Sequence, residues 1–264
     1  MKTLTYIYHD CFVFEDPERI IVFDYWKDPV SDNQEEPAFI KLADKRKHLF
    51  VLVSHHHKDH YTPKIFAWER LFSKATFILS HDTARFCRHI LKKDSVYNGI
   101  KPDPENVVTL SPGESFETED IKIKAFGSTD IGNSYIVKIK EEVIFHAGDL
   151  NAWIWKDEST HEEVEREIKR FRDILEKIAM EYPEIEIAMF PVDARIGTDY
   201  FTGAKILLKE IYVKRFFPMH FALGEDEVQS REFKNRASDI MKYANPERGE
   251  YICLLEPYSV FGQH

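Results

Sequence analysis

Four histidines and one aspartate directly follow a short apolar run, residues 49–53, whose β-branched and aliphatic side chains predict a buried strand. The spacing is His-x-His-x-Asp-His, formed by His55, His57, Asp59 and His60. Imidazole and carboxylate together are ligands for zinc, manganese or iron. A loop just past a strand end can direct the first two histidines to one point and the Asp-His pair to a second point nearby. A solvated histidine cluster is the alternative, but the aspartate at this offset favours a metal site.

The composition limits the partners that the chain can have. A net charge of −10 provides no basic excess for neutralising phosphates, which argues against nucleic acids and anionic membranes. No run approaches the roughly 18 apolar residues of a membrane span, and polar residues come too early for a signal peptide. The three cysteines form no Cys-x-x-Cys pair, which is typical of reduced thiols. We therefore expect a cytoplasmic protein with a small-molecule substrate, and homo-oligomerisation stays open.

Apolar periodicity predicts strands alternating with helices and no linker, hence a single domain over residues 1–264. Predicted strands lie at 4–8, 11–15, 20–23, 49–53, 76–79, 107–110, 120–126, 134–139, 142–146, 185–190, 215–221 and 251–255. Predicted helices lie at 63–72, 82–91, 160–182, 202–212 and 225–243. The clearest helix is 160–182, where Thr160 and Glu163 form a capping box. Asp82 is the expected cap of the second helix.

The motif His55-x-His57-x-Asp59-His60 resembles the signature of the metallo-β-lactamase-fold superfamily of metal-dependent hydrolases. The resemblance covers nearly the whole chain. It implies an α/β fold of four layers, an αβ/βα sandwich with the site at one edge of two facing sheets. The residues of four segments are similar to those of the ascorbate-6-phosphate lactonase-like branch of small bacterial members. These segments are residues 24–27, 127–130, 146–151 and 190–193.

The same resemblance implies two further metal ligands. Asp149 lies in Ala147-Gly148-Asp149 after a predicted hairpin, and it is similar to the aspartate that bridges two metals in the superfamily. His220 ends a late predicted strand after Pro218-Met219, as does the last histidine ligand of the superfamily. The expected metal ligands are therefore His55, His57, Asp59, His60, Asp149 and His220.

One expected histidine is missing. The superfamily has a histidine in a Gly-His-Thr-x-Gly-Ser setting, and residues 126–134 keep the glycine, threonine and serine frame without it. Asp130 is a candidate substitute, whereas Ser128 is a poor ligand at neutral pH. The cofactor is therefore two divalent ions, zinc or manganese or iron, or only one ion if nothing replaces the histidine.

Other residues have two interpretations each. Asp24 either orients a metal-binding histidine or is an ordinary residue at a strand end. Trp153 and Trp155 either line a substrate pocket or pack in a core or against a second subunit. His81 is more readily a surface residue than a ligand. Candidates for binding an anionic substrate group, by sequence position only, are Lys58 and Arg195.

The resemblance implies hydrolysis of a small ester, lactone or phosphoester by a metal-activated water, with Asp59 as the catalytic residue that orients the water or accepts its proton. A phosphodiesterase or nuclease on the same fold is the first alternative. A metal-binding protein without turnover is the second, because of the missing histidine. A flavodiiron-type oxidoreductase is less favoured, since nothing in this sequence resembles an attached flavin domain.

Overall fold

The computed structural model describes residues 1–31, 36–92, 102–155, 158–239 and 249–263. The chain divides into two compact units. The first unit comprises Met1–Leu110 together with Leu254–His264, and the second comprises Ser111–Cys253. The single domain predicted from the sequence stays a prediction. Among the described residues, no helix combines the length and the apolar character needed to cross a membrane.

The described residues form two sheets of seven strands, with helices between the strands. The strands are β1 Lys2–Tyr8, β2 Cys11–Glu15, β3 Arg19–Phe23, β4 His48–Val53, β5 Lys74–Ser80, β6 Val107–Leu110, β7 Ser115–Glu117, β8 Lys122–Gly127, β9 Asn133–Ile139, β10 Glu142–His146, β11 Glu184–Pro191, β12 Tyr212–Met219, β13 Glu250–Tyr251 and β14 Val260–Gln263. The α-helices are α1 Ala38–Leu42, α2 His81–Phe86, α3 Arg88–Leu91, α4 His161–Glu181, α5 Thr202–Glu210 and α6 Glu227–Ser238.

The sheet of the first unit has the order β14-β1-β2-β3-β4-β5-β6. Pairs from β14 to β3 are antiparallel, and pairs from β3 to β6 are parallel. The parallel strands β4 and β5 are almost wholly buried, which explains their continuous apolar sequences. Because parallel strands end at the same edge of a sheet, the segments after β3 and β4 emerge side by side. Asp24 lies at that edge, beside the loop of residues 54–60, which we call the histidine loop.

The sheet of the second unit has the order β13-β12-β11-β10-β9-β8-β7. Its pairs from β7 to β10 are antiparallel and its pairs from β10 to β13 are parallel. Asp149, Asp193 and His220 follow the carboxyl ends of β10, β11 and β12. Ligand sites in open α/β sheets lie at such carboxyl ends.

Helix α4 is held by its cap and by one apolar face. Thr160 and Glu163 form the predicted capping box, since each side chain bonds the backbone N–H of the other residue. Phe171 is fully buried on the apolar face and lies 5.9 Å from the ring of Phe190 on β11. This packing covers one face of the sheet of the second unit.

Replacement of Phe171 by alanine should lower the free energy of unfolding by about 3–5 kcal/mol, because it leaves a cavity between α4 and β11. Met180→Ala is the matched control on the same helix, since Met180 is exposed, and it should change stability by about 0.5 kcal/mol or less. Urea unfolding of both variants measures the difference. Equal stabilities would show that α4 does not depend on this contact.

His48 makes the stability of the first unit depend on pH. Burial, with repulsion from Lys74 and Arg19, lowers the pKa of its imidazole to about 4. The unfolded chain has an ordinary histidine pKa of about 6.5, so the unfolded state binds the proton first as the pH falls. Stability should therefore decrease between about pH 6.5 and 4. A His48→Gln variant should show a smaller decrease in urea unfolding across this range, and an unchanged pH profile would contradict this origin.

Most of the predicted elements are present, with boundaries shifted by no more than three residues, but two predicted helices differ. The segment 63–72 is a 3₁₀ helix, Pro63–Arg70. The buried residues Ile65 and Trp68 are three positions apart, a spacing that three residues per turn place on one face. The predicted helix 82–91 is two short helices, α2 and α3.

The prediction that Asp82 caps the second helix was wrong. Ser80 caps α2 by accepting a hydrogen bond from the N–H of Thr83. Asp82 lies in the first turn, and its carboxylate instead binds His56. The predicted strand 251–255 is reduced to β13, and β7 and β14 were not predicted, since short edge strands have little apolar pattern. The predicted helix 225–243 corresponds to α6, and its last part lies outside the described residues.

Candidate metal centre

The first unit gathers polar side chains where β3 and β4 end. His60 is fully buried, and its Nδ1–H donates to Asp24 Oδ2 at 2.9 Å. Asp24 also accepts hydrogen bonds from the backbone N–H and the hydroxyl of Ser54. Its backbone has a φ of 44°, a left-handed conformation that aspartate tolerates. Asp24 therefore orients His60, leaving Nε2 of the ring as the atom that can bind a metal.

His55 and His57 face one another. Nε2 of His55 lies 3.0 Å from Nδ1 of His57. The other nitrogen of His55, Nδ1, bonds the hydroxyl of Ser54 at 3.0 Å. His55 is buried whereas His57 is exposed. Two ring nitrogens this close together are what two imidazole ligands of one cation require, with one side open to a substrate.

His9 and Asp10 join this cluster and were not predicted as site residues. They form the turn between β1 and β2, and both are fully buried. Nε2 of His9 lies 3.6 Å from Oδ2 of Asp59, and Oδ2 of Asp10 lies 3.6 Å from Nδ1 of His60. The pair His9-Asp10 between two apolar strands carries no signal in the sequence beyond an ordinary turn, because aspartate is common in turns.

His56 occupies an x position of the motif and is directed elsewhere. Its Nδ1 bonds Oδ2 of Asp82 at 2.9 Å, and its ring stacks on Phe86 with a centroid distance of 4.6 Å. His81 is exposed at the start of α2, as expected for a surface residue. The histidines of this segment therefore divide into those that face the ligand cluster and those that face α2 or solvent.

The second unit holds the pair Asp149 and His220. Nε2 of His220 lies 3.1 Å from Oδ1 of Asp149, and both residues are buried. Asp149 follows a tight turn in which Gly148 has a φ of 52° and donates its N–H to Nδ1 of His146. His220 itself has a φ of 63°. The chain thus bends sharply after both strands to aim these two side chains at each other.

A buried carboxylate orients His220. Nδ1 of His220 donates to Oδ2 of Asp193 at 2.9 Å, and the guanidinium of Arg195 donates to both oxygens of the same carboxylate. Burial raises the pKa of Asp193, but the hydrogen bonds and charges of His220 and Arg195 outweigh it and hold this pKa well below its usual range. Asp193 is therefore a charged acceptor. Arg195, a candidate for substrate binding, is engaged in this pair.

The segment that lacks the expected histidine lies beside Asp149. The hydroxyl of Thr129 donates to the carbonyl of Asn151 at 2.6 Å and accepts from the N–H of Asn151 at 3.0 Å. Asp130 is exposed and offers a carboxylate oxygen within 4.8 Å of one from Asp149. The candidate substitute for the missing histidine is thus in reach of the expected bridging ligand.

Trp153 packs against the ligand pair. Its indole N–H donates to the backbone carbonyl of Asp149 at 2.9 Å, and its ring lies 5.5 Å from that of His220. Trp155 is 41% exposed. Trp153 therefore packs against Asp149 and His220 and helps to hold them in place. The exposed indole of Trp155 can contact a ligand or another surface.

Each predicted metal ligand thus lies in one of two clusters. His55, His57, Asp59 and His60 belong to the first unit, and Asp149 and His220 to the second. The union of all six in one metal centre stays a prediction. His9, Asp10 and Asp193 were missed because nothing in their local sequence distinguishes them from turn residues.

Comparison with known sequences and structures gives three kinds of result. A family described as a beta-lactamase superfamily domain matches residues 3–165. No curated protein matches the sequence significantly. Among solved structures, Igni18, a metallo hydrolase from the archaeon Ignicoccus hospitalis, is similar with 17% identity and a TM-score of 0.62, covering 100% of this chain and 99% of that one.

Two further structures are similar over nearly the whole chain. YhfI from Bacillus subtilis, a metallo-β-lactamase fold protein, has 11% identity and a TM-score of 0.56, covering 99% of this chain and 100% of that one. CmlA, a diiron β-hydroxylase from Streptomyces venezuelae, has 11% identity and a TM-score of 0.61, covering 98% of this chain but only 54% of that one. At such identities these likenesses establish the fold alone.

Proposed function

Because the chain belongs to the beta-lactamase superfamily domain family and has the predicted metallo-β-lactamase fold, we propose that it is a metal-dependent hydrolase. Its substrate would be a small ester, lactone or phosphoester. The fold also carries a hydroxylase, CmlA, so the fold by itself does not select the reaction. The choice of hydrolysis rests on the resemblance to the superfamily of metal-dependent hydrolases, and the metal dependence rests on the side chains at the strand ends.

The observation that carries the proposal is the carboxylate behind each of two histidines. Asp24 accepts from Nδ1 of His60 and Asp193 accepts from Nδ1 of His220, each at 2.9 Å. Metal-binding histidines commonly have such a partner, which fixes the tautomer and directs Nε2 to the metal. This arrangement fits a divalent cation and has no use in a simple apolar core, because buried charges are costly.

Both clusters provide the nitrogen and oxygen donors that zinc, manganese and iron bind. We assign His55 and His57 to one ion, with Asp130 in place of the missing histidine. We assign Asp59, His60 and His220 to the other ion, with Asp149 shared between them. If Asp130 does not serve as a ligand, the second assignment stands alone and one ion is bound.

Bound divalent ions would lower the pKa of a water to about 7 and polarise the electrophilic oxygen of the substrate. The protein's part is to hold donors in place and to move a proton. Asp59 has a partly exposed side chain, with 28% of its surface accessible, and it would orient the attacking water or accept its proton. Asp24 and Asp193 keep two histidines in the tautomer that leaves Nε2 as a ligand atom.

The net charge of the chain and two exposed side chains support a small-molecule substrate. The net charge of −10 disfavours nucleic acids and anionic membranes as partners. Lys58, exposed within the histidine loop, stays a candidate for binding an anionic group, and Trp155 for an apolar one. The lactonase-like branch, the cytoplasmic location and a homo-oligomer are parts of the proposal that rest on sequence patterns alone.

A substrate panel tests the function. Zinc-loaded and manganese-loaded protein should hydrolyse at least one class among aryl esters, lactones, phosphomonoesters and phosphodiesters, and a chelator should abolish the activity. Asp59→Asn should reduce kcat, whereas His81→Gln, a surface control, should not. Cleavage confined to phosphodiesters would favour the phosphodiesterase alternative. Metal binding without turnover of any class would support the non-catalytic alternative and contradict the hydrolase.

A further inference from the structure

We propose that His9, in the turn between the first two strands, is a further metal ligand that binds the same ion as Asp59 and His60. This inference rests on the proposed function, since it concerns the metal of that site. It adds a residue outside the His-x-His-x-Asp-His motif, and all three ligands belong to the first unit.

The turn places His9 in a left-handed conformation. The backbone of His9 has a φ of 58°, which glycine adopts freely and which histidine, like asparagine and aspartate, adopts more often than most other residues do. Its N–H donates to the hydroxyl of Tyr6 at 2.8 Å, which fixes the turn. The side chain is fully buried. Because a polar imidazole is expensive to bury, a residue kept only for the turn would not need one here.

The imidazole of His9 is directed at the ligands. Its Nε2 lies 3.6 Å from Oδ2 of Asp59, and its ring meets that of His60 edge to face at a centroid distance of 5.9 Å. His9, Asp59 and His60 each place one donor atom within 4.8 Å of the other two. Since Nδ1 of His60 is taken by Asp24, Nε2 is the atom that His60 can contribute.

The chemistry of the set fits a borderline divalent ion. Two imidazoles and one carboxylate are the protein ligands of many zinc hydrolases, in which a further position stays open for water. The first unit therefore contains a full set of protein ligands for one ion in His9, Asp59 and His60. The histidine missing from residues 126–134 concerns the other ion, the one assigned to His55 and His57, so His9 does not replace it.

The test is His9→Asn, because asparagine tolerates the left-handed backbone and removes the imidazole. Zinc affinity is measured by competition with a chromogenic chelator, and the coordination of Co(II) substituted for zinc is followed by its visible absorption. The variant should lose affinity for one ion by about 10-fold or more and should change the Co(II) spectrum, while its circular dichroism stays that of the wild type.

Tyr6→Phe is the matched control, since it removes the hydroxyl that holds the turn and leaves the imidazole. It should keep the zinc affinity and Co(II) spectrum of the wild type. Wild-type values in His9→Asn, or the same loss in Tyr6→Phe, would overturn the assignment of His9. A wild-type protein that binds neither metal would instead contradict the proposed function itself, so the two failures are distinguishable.

Discussion

Replacement of His60 by alanine should remove most of the bound metal and most of the hydrolytic activity. His60 is tightly constrained, since it is fully buried and bonded to Asp24 at its Nδ1. Asp149→Ala should have an effect of similar size, because this carboxylate is assigned to both ions. Elemental mass spectrometry of the purified variants gives the metal content, and rates with the best substrate of the panel give the activity.

His81→Gln is the control for both variants, since His81 is an exposed histidine at the start of α2. It should keep the metal content and rate of the wild type. Circular dichroism should show that the alanine variants are folded. If His60→Ala and Asp149→Ala both kept the full metal content, the ligand assignment would be wrong.

Asp24→Asn should weaken metal binding by about 10-fold to 100-fold without changing any ligand. The two oxygens of Asp24 accept hydrogen bonds from Ser54 and His60. An amide has only one acceptor oxygen, so either the Ser54 N–H or the pair Ser54 hydroxyl and His60 Nδ1 loses its acceptor. Even if His60 keeps its acceptor, that acceptor is neutral, and its hydrogen bond is weaker than one to a carboxylate. Asparagine suits the φ of 44°, so the backbone should be retained.

Zinc affinity by chelator competition measures this effect, and Asp44→Asn is the control. Asp44 is an exposed-loop carboxylate whose partner is Arg46, and its loss should leave the affinity unchanged. A wild-type affinity in Asp24→Asn would show that the hydrogen bond to His60 is not used to position the metal, and that Asp24 serves the turn alone.

The sequence was sufficient for the parts of the site that are local. His55, His57, Asp59 and His60 lie within six residues, so spacing alone shows that they share one loop after a buried strand. Asp149 and His220 required the resemblance to a family, because a single Gly-Asp or Pro-Met-His is common. Apolar periodicity predicted the individual strands and helices, among them the buried parallel strands β4 and β5. The four-layer αβ/βα sandwich was implied by the resemblance to the family.

The remaining residues depend on contacts distant in sequence. His9 lies near Asp59, 50 positions later in the sequence, because the chain reverses direction between β1 and β2. His9 itself has the left-handed backbone conformation of that turn. Asp193 acquires its role from His220, which directly follows the neighbouring parallel strand β12. Two neighbouring side chains, Ser80 and Asp82, could each cap α2, and the cap in the structure is Ser80 and not the predicted Asp82. Periodicity does not report such partners.

The proposed metal-dependent hydrolase is tested most directly by the metal content of the untagged wild-type protein. Elemental mass spectrometry after purification without chelator, and after reconstitution with zinc or manganese, should give about two ions per chain. A single ion would mean that Asp130 does not replace the missing histidine. A folded chain that retains no ion even after reconstitution would contradict the account.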